Sequence, residues 1–112
     1  MRRKYQILLR FEDRVDLIVQ KVAKYNPVTE KKESVETILP NIPCNSSALS
    51  RERVLAEFGE AYKDITVVRF NHELDIIPTH AILKGLRYRV ADVRVYRHKT
   101  SIYLHEELLS GN

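Results

Sequence analysis

The segment LRYRVADVRVY, residues 86–96, decides the fold. Leu86, Tyr88 and Val90 alternate with Arg87 and Arg89, the period-two pattern of a strand that buries one face. Past Ala91 and Asp92 the apolar set moves to Val93 and Val95, which is a change of parity. One extra residue re-aims every side chain after it, so a β-bulge at Ala91-Asp92 would keep both halves facing one core. Lys84-Gly85 reads as a tight turn before the segment, and His98-Lys99-Thr100 as a turn after it. Residues 101–106 then close with Ile102 and Leu104 on one side, Tyr103 and His105 on the other.

Outward from this segment the same grammar holds. DITVVRF at 64–70 is a strand by composition, and HELD at 72–75 belongs to a polar loop. Residues 14–24 place Val15, Leu17 and Val19 on one side of an alternating strand. Tyr25-Asn26-Pro27 turns the chain, and VTEKKE at 28–33 reads as a loop tip. The stretch 34–44 carries Pro40 and Pro43, so it is an edge strand or one that breaks at Pro40. One helix is expected at 51–58, capped by Ser50, stopped by Gly59 and stapled by Leu49 against Val54. Six short strands and one short helix, with no crossover helices for a parallel sheet, predict a mainly β barrel or sandwich with long loops. The expected core is Val15, Leu17, Val19, Phe58, Val67, Ile82, Tyr88, Val90, Val93, Val95, Ile102 and Leu104.

The chain has 112 residues, 44% of them apolar and 30% charged, which fits one soluble globular domain rather than a disordered chain. Residues 14–106 form its expected core, 1–13 an extension of uncertain role, and 107–112 a frayed tail. The apolar runs are too short for a membrane helix, and the basic start is not a signal peptide. A single cysteine, Cys44, excludes an internal disulfide and reads as a partly buried structural thiol in a reducing compartment.

No catalytic residue, cofactor site or metal site emerges. Phosphate loops, HExxH and GxSxG are absent, and His72, His80, His98 and His105 lack ligand spacing. Charge is the uneven feature. The formal net charge is +4, yet residues 79–105 hold six bases against Asp92 alone. Arg87, Arg89, Arg94, Arg97 and Lys99 form a candidate basic face. Arg and Tyr alternating along a late strand also admit a toxin-type mRNA interferase, or a free nucleic-acid-binding barrel.

The stretch PCNSSALSRERVLAEFGE at 43–60 is the most distinctive. With Pro43, Cys44, Asn45, Ser47, Leu49, Arg53, Phe58 and Gly59, then Arg69 and the Gly85-x-x-Tyr88 turn, the chain resembles minor capsid, or head–tail joining, proteins of tailed bacteriophages. The likeness runs from about Arg14 to Glu106. It implies a small β-barrel subunit without a cofactor, synthesised in the bacterial host cytoplasm and built into the virion. A homo-oligomeric ring would sit between portal or adaptor proteins and the tail, closing the filled head, with no membrane partner. Lys31, Lys32 and Glu33 in one expected loop and His72 and Glu73 in another are the candidate contacts to neighbours. The basic face would meet packaged DNA non-specifically or an acidic protein ring. The protein is favoured, because a connector must be gripped by its neighbours yet let DNA slide past.

Overall fold

A computed structural model describes residues 10–28 and 31–106, with the backbone alone at 22–26 and 31–34. The strands are β1 (Asp13–Asn26), β2 (Lys31–Ala48), β3 (Thr66–Arg69), β4 (His80–Leu83), β5 (Leu86–Tyr96) and β6 (Lys99–Glu106), with one helix, α1 (Arg51–Phe58). Every neighbouring pair is antiparallel in the order β1-β2-β3-β6-β5-β4, and β4 returns to β1, so the strands close a ring. The mainly β reading holds.

Two strands are not short. β1 has 14 residues and β2 has 18. The loop expected at 25–34 is instead the end of a hairpin, with Tyr25 opposite Lys32 and Asn26 opposite Lys31. Continuing the ladder satisfies backbone groups that a loop would leave to water. Lys31, Lys32 and Glu33 therefore belong to a strand. β2 does not break at Pro40 either. The register shifts there, Asn41 takes φ 60°, and its N–H donates to Asp16 Oδ1 at 2.8 Å. Away from β1, β2 pairs only through 45–48, on β3, so neither proline faces a second neighbouring strand. Pro43 lies opposite Arg14 of β1 and Pro40 in the register shift.

The bulge is where the parity change places it. Val90 lies opposite Leu104 and Asp92 opposite Tyr103, which leaves Ala91 as the extra residue. Asp92 Oδ1 accepts the Val93 N–H at 2.9 Å. Lys84-Gly85 turns with φ 52° and 81°, as a two-residue hairpin requires. The last turn is shifted from the expected 98–100 to Arg97-His98, because Tyr96 already pairs with Lys99. Both turn residues are left-handed, φ 51° and 63°. The helix matches its signals. Ser50 Oγ accepts the Arg53 N–H, and Gly59, at φ 86°, donates to the carbonyls of Leu55 and Val54.

The core has two parts. Inside the ring, Val15, Leu17, Cys44, Val68, Phe70, Ala81, Leu83, Ile102 and Leu104 are buried, with Tyr88, Val90 and Val93 packed at their margin. Outside it, α1 covers β3 and β6, burying Val54, Ile65, Val67 and Tyr103 beside Leu49 and Phe58. Alternation along these two strands thus feeds two cores, and Tyr103 is buried although its neighbours face inward. Val95, expected in the core, is 56% exposed. Its partner is Thr100, one pair beyond the last residues that β6 shares with β3. Ile82 is half-buried, because Ala81 and Leu83 hold the inward positions of β4. Val19, Phe58, Tyr88, Val90 and Val93 are also half-buried.

These positions separate in stability measurements. Leu17→Ala leaves a cavity inside the ring and is expected to cost about 3 kcal/mol in urea unfolding. Val95→Ala is expected to stay within about 0.5 kcal/mol. Equal losses at the two sites would contradict this partition of the core.

Candidate interaction surfaces

The basic residues of β5 all lie outside the ring, and two of them are engaged by carboxylates. Arg87 reaches the β1–β2 hairpin, where its guanidinium meets Glu36 Oε2 at 2.9 Å. Gln20 Nε2 donates to the same oxygen at 3.1 Å, so Glu36 ties the root of that hairpin to β5. Arg94 has a different task. Its Nε donates to Asp92 Oδ2 and its Nη1 to Glu57 Oε1, both at 2.8 Å. The guanidinium carbon lies 4.4 Å from the Tyr103 ring centre and 5.6 Å from that of Phe58. Arg53, one turn before Glu57, binds its other oxygen at 2.9 Å. Arg94 is therefore a clamp holding α1 against the sheet.

Arg89 is exposed beside His80 on β4 and His105 on β6. Arg97 and Lys99 sit at the tip of the β5–β6 hairpin, where Arg97 stacks 5.2 Å from the ring of an exposed Tyr96. The acids that neutralise Arg87 and Arg94 are the residues sequence reading missed. Arg53 and Glu57 at i, i+4 are a readable helix pair. Nothing in the sequence points from Arg87 to Glu36, which are 51 residues apart.

The loop holding His72 and Glu73 is stitched down. Thr100 donates its N–H to the His72 carbonyl at 3.2 Å, and its buried hydroxyl accepts the Leu74 N–H at 3.1 Å. Glu73 Oε2 lies 2.8 Å from His98 Nδ1. Elsewhere, Asn45, Ser47 and Arg69 meet, with Arg69 Nη1 donating to Asn45 Oδ1 at 3.2 Å and Ser47 Oγ at 2.9 Å. Together they fasten β2 to β3.

The β1–β2 hairpin continues past the ring. β1 meets β4 only over 15–18, so the arms beyond 18 and before 38 pair only with each other. That is a ribbon of six residue pairs over residues 19–26 of β1, roughly 26 Å long at about 3.3 Å per residue. Val35 on it and Ile38 at its root are 57% and 52% exposed. At the far end of β6, Tyr62, Lys63, Asp64, Tyr88, His105 and Glu106 line a cleft of about 410 Å³. Cys44 is fully buried, and burial pushes its thiol up to about 11, so it is a neutral core side chain at physiological pH. No three His, Cys, Asp or Glu among the described residues are grouped to hold a metal ion.

Two carboxylates respond to this network. The Ser46 hydroxyl, 2.6 Å from Asp13 Oδ2, holds the Asp13 carboxyl below its ordinary range, aided by the Ser46 N–H. Arg94, then Arg53, does the same for Glu57. A carboxyl depressed in the folded state stabilises fully above its unfolded pKa of about 4 and loses that contribution as pH falls through the folded value. Urea midpoints are therefore expected to be level near neutrality and to fall on the acid side. Glu57→Gln should make that acid-side fall shallower, and an unchanged acid-side slope would contradict the clamp.

Comparison with protein-family models, curated proteins and solved structures finds no match for this chain.

Proposed function

We propose that this chain is a structural subunit of a tailed-phage head–tail connector, assembling in a ring between portal and tail. The observation that carries the reading is the ribbon. A closed ring has no sheet edge to spare for a partner, yet β1 and β2 run on together for six pairs beyond it. A two-stranded ribbon is marginal in water by itself, and this one leaves Val35 exposed, with Ile38 exposed at its root. Such an arm is useful when a neighbouring molecule covers it.

The rest of the molecule is consistent with a passive part. The interior of the ring is filled with apolar side chains, so it offers neither channel nor ligand chamber. Two cations of the basic third are spent on internal bridges, which weakens the case for a continuous DNA-facing surface and supports protein neighbours. Lys31, Lys32 and Glu33 lie on the arm, and His72 and Glu73 lie beside the β5–β6 hairpin.

Shortening the arm tests this reading. Val22 pairs with Ser34, so replacing residues 23–33 by Asn-Gly keeps that pair and closes it with a two-residue turn. The shortened protein is expected to unfold cooperatively at nearly the original temperature. In a phage carrying the gene it should yield filled heads that fail to join tails. Normal infectious yield, or degradation of RNA by the purified wild-type chain, would overturn the proposal.

A further inference from the structure

The β5–β6 hairpin ends in a finger. Beyond Arg94 and Ser101 it has no third strand, and it presents Val95 and Tyr96, 56% and 71% exposed, on its two faces. A two-residue left-handed turn makes its tip stiff, and Arg97 and Lys99 make it cationic. Glu73 lies beside it, paired with His98. An exposed tyrosine with an arginine stacked on it is the composition of an interface anchor.

The cleft of about 410 Å³ lies at the other end of the same strand, seven residues from Lys99 to Glu106, or roughly 23 Å. Asp64 and Glu106 rim it against Lys63, and Tyr62 and His105 wall it, their ring centres 5.0 Å apart. We propose that the finger of one copy docks in the cleft of the next. Tyr96 would then lie against Tyr62 and His105, with Arg97 and Lys99 beside Asp64 and Glu106. The partner is a second copy of this chain because the two surfaces are complementary in charge and lie on opposite ends of one strand. Two different patches meeting is a head-to-tail contact, which repeats from copy to copy and closes when the rotation allows. This contact rests on the ring reading above and names where neighbouring subunits touch.

Charge reversal tests it. Sedimentation velocity over a concentration series is expected to show self-association of the wild-type chain. Arg97→Glu/Lys99→Glu and Asp64→Lys/Glu106→Lys should each lower the association constant roughly a hundredfold. All four positions are exposed, and circular dichroism checks that each variant is folded. The two variants mixed together regain complementary charge and should assemble where neither does alone. Assembly of both variants at wild-type affinity would overturn the finger–cleft contact and leave the ring reading standing. So would a folded mixture that stays monomeric. A wild-type chain that is monomeric throughout would overturn the contact as well, while the ring reading itself is judged separately by the tail-joining phenotype.

Discussion

Four residue pairs close this molecule. Residues 15–18 of β1 lie opposite 83–80 of β4, and Thr79 extends the seam. Its N–H donates to the Ile18 carbonyl and its hydroxyl accepts the Gln20 N–H, each at 2.8 Å, while its carbonyl accepts the Val90 N–H at 3.0 Å. One residue thus joins β1 to β5. Without the seam, Val15, Leu17, Ala81 and Leu83 would face water, and β1 and β4 would become open edges. A domain of this size has little apolar surface in reserve, so the filled ring is what the hairpins and helix hang upon.

Closure also decides where function can reside. A ring filled with Leu, Val, Ile and Phe leaves its outer surface and its projecting hairpins for recognition. On the outer surface, carboxylates from distant parts of the chain disarm the basic strand. Glu36 meets Arg87 and Glu57 meets Arg94, and both bridges join separate elements. Partly exposed ion pairs of this kind contribute little free energy singly. Their geometric effect is larger, since they set the angle of the ribbon root and the seat of α1. Cationic character is left at the finger tip and at Arg89.

The sequence made legible whatever local pattern and turn chemistry determine. The parity change across Ala91-Asp92 located the bulge, and Ser50 and Gly59 bounded the helix. Lys84-Gly85 marked its turn because glycine takes a left-handed φ freely. Arg97-His98 carries no such mark, and there the expected turn slipped by one residue. Lys31, Lys32 and Glu33 read as loop by composition although they open β2, because a two-stranded ribbon has no buried face to leave an apolar alternation. Tyr103 was legible only as lying opposite Ile102 and Leu104, because alternation in β6 cannot reveal that a helix from elsewhere covers the second face. Val95 is the converse case, an apolar residue with the right parity placed beyond the ring. The candidate basic face was legible as charge but not as structure, because its neutralising acids arrive through long-range contacts.

Amide hydrogen exchange on the monomeric protein tests most directly whether a closed ring is the cooperative unit and the ribbon an appendage. Amides of β3, β4 and the seam at Ile18 and Thr79 are expected to exchange only with global unfolding. Those at 19, 21, 35 and 37, held by the β1–β2 ladder alone, should open at a markedly lower free energy. Ribbon protection equal to that of the seam, or a seam that exchanges well before β3 and β6, would contradict the account.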